Sequence, residues 1–417
     1  METAANKRKL INDPVYGFIG IPTGFLFDLI SHPWFQRLRN IKQLGLTSLV
    51  YPGAVHTRFN HALGSMHLAR EALDVLIRKG AEVSDDEAEG LLIAALLHDL
   101  GHGPFSHTLE GVLIEGIAHE KLTLTMLQKL NEQYEGKLET AISIFKNEHQ
   151  KKFFHQMVSG QLDMDRMDYL NRDSFFTGVT EGHISSERLL RMLRVVAGRL
   201  VLEEKSVYSI ENFLVARRLM YWQVYYHKTV IAAENMLIKI ISRARELVLQ
   251  GVNMSCSETL QLFLRSRVSH HSAGDIDPDL FMAFTGLDDH DVWVAIKCWA
   301  KHSDRVLSML SDSLINRHLF EVDIRTVEIP YDEIEIRRYK VMEALNLTYL
   351  EASYFVFQGK ISNRAYNEQD ERIEVVKRSG EVCDFDDISD YFHSGAGNTI
   401  VEKYYICACR PAQHLTN

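Results

Sequence analysis

Imidazole and carboxylate side chains can both hold a divalent cation and move a proton near neutral pH, and this sequence concentrates them. Of its 19 histidines, seven (His56, His61, His67, His98, His102, His107 and His119) fall between positions 56 and 119. His98 and Asp99 stand at the end of the apolar run Leu91-Leu92-Ile93-Ala94-Ala95-Leu96-Leu97. A helix apolar on every side is buried, and an uncompensated charge at its tip costs on the order of several kcal/mol, so something there must neutralise the pair. A cation does this well. Imidazole with carboxylate oxygen suits one divalent Mn, Mg, Fe or Zn ion, and the lack of nearby cysteine argues against a structural zinc site.

Two adjacent ligands need partners from other elements. His61, early in its own helix, can supply a second imidazole, and Asp165 a second carboxylate. Asp165, Tyr169, Arg172 and Asp173 lie at i, i+4, i+7 and i+8, one side of a helix, with Leu162, Met167 and Leu170 on the other. Such a helix either faces a site or is an ordinary amphipathic surface helix. Further on, Arg217, Tyr221, Tyr225 and Lys228 form a stripe at i, i+4, i+8 and i+11 that can stack a base and meet phosphates. The competing reading of that stripe is core aromatics with a snorkelling arginine.

The elements that must position these groups are mainly helical. Ser31-His32-Pro33 opens a helix with Trp34, Phe35, Leu38 and Ile41 at helical spacing. A second helix is expected from about Asn60 to Arg78, stopping at Gly80. Ser84 and Glu87 form a capping box for a third, with Asp85 and Asp86 favoured by the helix dipole and Gly101, Gly103 and Pro104 closing it. Two more run from about Leu162 to Arg172 and, as one long element, from about Ser209 to Leu249. From about Arg317 the pattern changes to strands at Leu319–Ile324, Tyr354–Phe357 and Ile373–Val376. The expected architecture is mostly α: a helical core over residues 1–250, then a helical and α+β C-terminal region over 251–417.

The 417 residues carry a formal net charge of −10, so no general field attracts long nucleic acid. A local cationic cluster can still bind a single nucleotide. Five scattered cysteines fit a reducing compartment, and alternation in Tyr404-Tyr405-Ile406-Cys407-Ala408-Cys409 reads as a strand burying small thiols. The polar N-terminus has no signal-peptide core, and no apolar run approaches the roughly 20 residues that span a bilayer. A cytoplasmic protein with no membrane contact is expected.

The motifs His56-Thr57-Arg58-Phe59-Asn60-His61-Ala62-Leu63-Gly64, Leu97-His98-Asp99-Leu100-Gly101-His102-Gly103-Pro104-Phe105-Ser106-His107, His119-Glu120 and Asp163-Met164-Asp165-Arg166-Met167-Asp168-Tyr169-Leu170-Asn171-Arg172-Asp173 resemble those of the HD-domain deoxynucleoside triphosphate triphosphohydrolases. The similarity is to the SAM-and-HD-domain dNTPase branch, without a SAM domain, and runs from Lys9-Leu10-Ile11-Asn12-Asp13-Pro14 to Tyr225-Tyr226-His227-Lys228. It implies an HD-domain core in which His61, His98, Asp99 and Asp165 hold one divalent metal. It also implies that His102, His107 and the His119-Glu120 pair serve the triphosphate. Arg58, Arg166, Tyr169 and Arg217 would contact phosphates, and Gln43, Leu44, Asp173 and Tyr225 would line the sugar and base pocket, with Tyr221 joining the substrate-binding residues from the stripe on the long helix.

The implied reaction is water attack on the α-phosphate of a dNTP, releasing deoxynucleoside and triphosphate. His119, oriented by Glu120, or His107 would protonate the leaving sugar oxygen. The resemblance further implies that residues 251–417 would serve assembly of a homo-oligomer, dimer or tetramer, with a nucleotide effector between subunits at Lys9, Asn12, Gln36, Arg39, His227 and Lys228. Ser31 stands where an acidic residue would read guanine, and Glu203 replaces a basic residue, which argues against guanine-specific activation. The rivals are an HD-type phosphodiesterase or nucleoside monophosphatase, and a nucleotide-sensing regulatory module.

Overall fold

The computed structural model describes residues 8–114, 116–266, 276–363, 372–393 and 400–410. The chain opens with an antiparallel hairpin, β1 (Arg8–Asp13) and β2 (Gly17–Pro22), in the register Asp13 opposite Gly17. Asp13 Oδ1 accepts the amides of Val15 and Tyr16 at 2.9 and 3.0 Å, and Gly17 takes the left-handed φ of 76° that this turn requires. Helices α1 (Phe25–Ser31) and α2 (Pro33–Gln36) follow. The helix expected from Ser31 through Ile41 is thus shorter: α2 tightens into a 3₁₀ turn at Arg37–Asn40. There the buried guanidinium of Arg37 donates to the Leu100, His102 and Leu287 carbonyls, tying the segment to distant loops.

The core that carries the site is built from α3 (Arg58–Arg78), α4 (Asp85–Leu97), α5 (His119–Gln133), α6 (Glu139–Phe145), α7 (Phe153–Ser159) and α8 (Met164–Thr177). The expected Ser84–Glu87 capping box is present, and every residue from Leu91 to Leu97 is buried, as expected for an apolar central helix. α4 packs against α3, α6 and α7, and α8 lies across α3 and α7. The tip of α4 is therefore gripped on several sides, which is what a precise pair of ligands at its end requires.

Helix α9 (Ser186–Met192) leads into a second hairpin, β3 (Leu193–Val196) and β4 (Arg199–Glu203), where only helix was expected. Its strands, Leu193-Arg194-Val195-Val196 and Arg199-Leu200-Val201-Leu202-Glu203, are short and lack a strict apolar–polar alternation, so they do not stand out against the neighbouring helical pattern. The long helix expected from Ser209 to Leu249 is also not continuous. It divides into α10 (Val207–Met220) and α11 (Lys228–Leu249), joined by a π-helical turn over Tyr221–Tyr225. The Tyr226 amide reaches back to the Tyr221 carbonyl at 2.7 Å, and His227 is extended at φ −61°, ψ 129°. No proline or glycine marks the break.

The remaining helices are α12 (Glu258–Arg265), α13 (Pro278–Phe284), α14 (Asp289–Trp299), α15 (Arg305–Ile315), α16 (Tyr331–Leu345), α17 (Tyr349–Ala352) and α18 (Phe385–Ile388). The expected strands appear as β5 (Glu321–Arg325), β6 (Val356–Asn363) and β7 (Glu374–Val376), followed by β8 (Val382–Asp384) and β9 (Val401–Ala408). β5, β9 and β6 form one antiparallel sheet in that order, and β7 joins β4 in parallel, giving a second sheet β3-β4-β7-β8. Cys407 and Cys409 are buried, and burial raises both thiol pKa values, that of Cys409 to about 12, so both stay protonated. The architecture is mostly α with a smaller sheet-containing C-terminal part. No helix among the described residues is long and apolar enough to cross a membrane.

Because α4 is buried on all sides, Leu96→Ala should lower the unfolding free energy by about 2–5 kcal/mol. The expected readout is a lower denaturant midpoint at unchanged m-value.

Candidate metal centre and adjoining cavity

Three elements bring the expected ligands together. His61 lies on the first turn of α3, His98 and Asp99 on the tip of α4, and Asp165 on the first turn of α8. His61 Nε2 lies 3.2 Å from His98 Nε2, 3.0 Å from Asp165 Oδ1 and 3.6 Å from Asp99 Oδ2. His98 Nε2 is 3.5 Å from both Asp165 Oδ1 and Asp99 Oδ1. Each imidazole has its other nitrogen committed. His61 Nδ1 donates to Asp168 Oδ2 at 2.7 Å, and His98 Nδ1 donates to the Ala95 carbonyl at 2.8 Å. Two neutral imidazoles would therefore aim their remaining lone pairs at each other across 3.2 Å, a repulsive arrangement unless a cation lies between them. Two nitrogens with two carboxylates fit a divalent transition metal.

The electrostatics agree. Burial disfavours charge on His61, yet the carboxylates of Asp165 and Asp168 overcome this and hold its pKa up at about 10. Burial likewise opposes ionisation of Asp99, but Arg58, His98 and His102 keep its carboxyl well below the usual range. A bound cation would take the place of the proton on His61.

Beside this centre lies a second imidazole cluster. The rings of His102 and His119 stack with centroids 3.9 Å apart, and His102 Nε2 reaches Asp99 Oδ1 at 3.3 Å. Burial and Arg58 hold His102 well below the usual histidine pKa, so it is a neutral ring. The expected orienter of His119, Glu120, is mostly exposed and meets Nε2 at 3.5 Å. The group on Nδ1 is instead Glu110: Oε1 accepts from His119 Nδ1 at 2.7 Å and from its amide at 3.0 Å, and Oε2 bonds His107 Nδ1 at 2.9 Å. Glu110 follows His107 by three residues, the one hint the sequence offered. Phe105 and Ser106 carry positive φ values of 55° and 50°, a strained pair for residues other than glycine. Asp289 at the start of α14 supports this turn, its Oδ1 accepting the Phe105 amide at 2.8 Å and its Oδ2 the Lys42 amide at 3.0 Å.

A cavity of ≈ 400 Å³ is lined by His107 of the second cluster, by Arg58, whose guanidinium bonds Asp99, and by Gln43, Leu44, Tyr169, Asp173, Tyr221 and Tyr225, with Tyr226 and Glu234 in addition. The Tyr221 and Tyr225 rings meet edge to face at 5.0 Å. Several of the polar groups expected at the substrate already have partners within the fold. Both Asp173 oxygens are engaged, Oδ1 with His56 Nε2 and Oδ2 with the Tyr225 hydroxyl, each at 2.7 Å. Arg58 is buried and bonded to Asp99 and to Ser106 Oγ. Arg166 is bonded to Asp163, and Arg217 reaches Gln161 Oε1 at 3.5 Å. Neither Arg166 nor Arg217 lines the cavity, although both charges act on the phenol of Tyr169. The π turn also removes Lys228 from the expected stripe: with His227 it lines a different cavity beside Trp222, Arg325 and Lys403.

The expected effector residues are dispersed. Lys9 sits over the Phe27 ring at 3.4 Å, Asn12 is exposed on β1, and Gln36 bonds Arg39, whose guanidinium lies 3.5 Å above Phe59.

Comparison with known proteins adds independent findings. The HD domain family model matches residues 58–173, and that of the HD associated region matches 184–262. The uncharacterized protein YwfO of Bacillus subtilis is 32% identical over 391 residues, covering 90% of this chain and 87% of that protein. The protein named deoxynucleoside triphosphate triphosphohydrolase SAMHD1 homolog of Dictyostelium discoideum is 31% identical over 255 residues, 57% of this chain. The chain spans only about half of that relative's length, 49%. A crystal structure named as a phosphohydrolase from Bacteroides thetaiotaomicron superposes with a TM-score of 0.94 at 48% identity, over 97% of this chain and all of that one.

Since His61 must lose a proton to become a ligand, metal binding should release protons at pH 7 and tighten as the pH rises from 6 to 8. Titration calorimetry in buffers of different ionisation enthalpy measures this, and a binding enthalpy independent of the buffer would contradict it.

Proposed function

Because the chain belongs to the HD-domain phosphohydrolase family, we propose that it hydrolyses deoxynucleoside triphosphates to deoxynucleoside and triphosphate. What supports this reading is that a cluster of two imidazoles and two carboxylates is joined through Arg58 to a cavity large enough for a nucleoside and walled by tyrosines. His61, His98, Asp99 and Asp165 would hold one divalent ion, which when bound supplies Lewis acidity and an activated water. Arg58, held against Asp99, turns its remaining guanidinium edge toward the phosphates. The Tyr225–Asp173–His56 chain forms a rigid wall for the sugar, and the tyrosine rings accept the base face. His119 and His107, both fixed by Glu110 at Nδ1, present Nε2 as the proton donor to the departing sugar oxygen.

Nucleoside monophosphatase or phosphodiesterase chemistry is the second reading. It gains from the engagement of Arg166 and Arg217 away from the cavity, since a triphosphate needs more cationic contacts than a single phosphate. A nucleotide-sensing module is the third, and the complete ligand set counts against it. For regulation, we propose a homo-oligomer in which Lys9, Asn12, Gln36 and Arg39 of one subunit meet His227 and Lys228 of another around a nucleotide effector.

Purified protein with Mn²⁺ should release triphosphate from dNTPs, and chelation should stop it. Release of orthophosphate or pyrophosphate would favour the second reading, and tight nucleotide binding without turnover the third. Glu110→Gln should lower kcat about 10²–10⁴-fold, the range of general acid–base contributions, whereas Glu120→Gln should change it far less. The reverse order would return the orienting role to Glu120.

A further inference from the structure

The buried charges behind His61 form a continuous chain that no step of the proposed reaction uses. Asp168, fully buried, accepts His61 Nδ1 on Oδ2. Arg172, also fully buried, grips the same carboxylate with both edges of its fork, Nε to Oδ2 and Nη2 to Oδ1, each at 2.9 Å. Its remaining Nη1 extends to Asp13 Oδ2 at 2.8 Å, and Nη2 lies 3.4 Å from Asp13 Oδ1. Asp13 is the last residue of β1 and builds the hairpin turn with its other contacts. A chain of three carboxylate–cation contacts thus runs from the N-terminal hairpin to a ligand of the metal centre.

The fold makes room for this chain at some expense. Gly64 lies mid-helix in α3, one turn after His61, where glycine costs about 1 kcal/mol relative to alanine. A Cβ there would collide with Asp168 Oδ1 and Arg172 Nη2, so glycine is what lets the guanidinium and carboxylate lie flat against the helix. An arginine whose every partner is buried has no alternative solvation. If Asp13 withdraws, the guanidinium must either follow it or carry an unpaired charge, and both disturb Asp168.

We propose that Asp13 is a positioning residue for the metal centre, acting through Arg172 and Asp168 on His61, so that the seating of the N-terminal hairpin and cation binding are coupled. The proposal rests on the reading of His61 as a metal ligand. It gives the hairpin that carries Lys9 and Asn12 a physical route to the reacting centre: a ligand that seats or lifts the hairpin would tighten or loosen the cation. By reciprocity, the cation must seat the hairpin by the same free energy.

Two measurements on the full chain test this, with Mn²⁺ as probe. In the wild-type protein, Mn²⁺ should slow amide hydrogen exchange in β1 and β2. Asp13→Asn, which keeps the acceptor for the Val15 and Tyr16 amides but removes the charge facing Arg172, should weaken Mn²⁺ about tenfold, the low end of outer-shell effects, and abolish that slowing. A merely structural role would loosen the hairpin equally with and without Mn²⁺. Asp165→Ala separates the two ideas. If it loses Mn²⁺ while Asp13→Asn keeps wild-type affinity, the coupling alone is overturned; if it retains Mn²⁺, the four-ligand centre falls and the coupling with it. Should Asp13→Asn fail to fold, the wild-type exchange experiment decides, because stoichiometric Mn²⁺ without any change in the hairpin overturns the coupling.

Discussion

Two imidazole nitrogens held 3.2 Å apart, each with its partner nitrogen already donating to an acceptor, set the terms for the rest of this molecule. Without a cation the arrangement survives only by protonation, and the surrounding carboxylates of Asp99, Asp165 and Asp168 supply the negative charge that either occupant needs. Holding those groups at such separations demands stiff supports. That requirement accounts for a central helix buried on all sides, for imidazoles and carboxylates placed at helix ends rather than on loops, and for a glycine in the middle of α3.

The groups behind these imidazoles and carboxylates are as ordered as the cluster itself. Asp168 and the Ala95 carbonyl choose the tautomers of His61 and His98, Arg58 keeps Asp99 ionised, and Glu110 fixes both outer histidines with one carboxylate. Asp289 shows that the C-terminal half does more than surround the core. Its two oxygens bind the backbone of the Lys42 loop and of the strained Phe105 turn, so one side chain from α14 sets the spacing between two walls of the cavity.

The cavity itself is shaped by the π turn between α10 and α11. In a continuous helix Tyr221, Tyr225 and Lys228 would share one face. Insertion of the wider turn keeps both tyrosines in the cavity and rotates Lys228 away, toward Trp222, Arg325 and Lys403. π turns inside helices are frequent at functional sites because they trade regular hydrogen bonding for a side-chain direction that a regular helix cannot provide.

Local chemistry determined much of this in the sequence alone. The capping box at Ser84 and the apolar run to Leu97 identified α4, the alternation around Tyr404–Cys409 identified β9, and the concentration of histidine with Asp99 and Asp165 pointed to a cluster that could hold a cation. These are short-range signals, set by helical or strand periodicity and by the impossibility of burying bare charge. What only the tertiary structure decided depends on groups far apart in the chain competing for the same partners. Asp13 and Arg172 are 159 positions apart, and Phe105 and Asp289 184, so neither pair leaves a trace in local spacing. Arg58, Arg166 and Asp173 have the residue types of free ligand-binding groups, yet each already has partners in the fold, carboxylates for the two arginines and an imidazole and a phenol for Asp173, because polar groups taken out of water need partners within the chain.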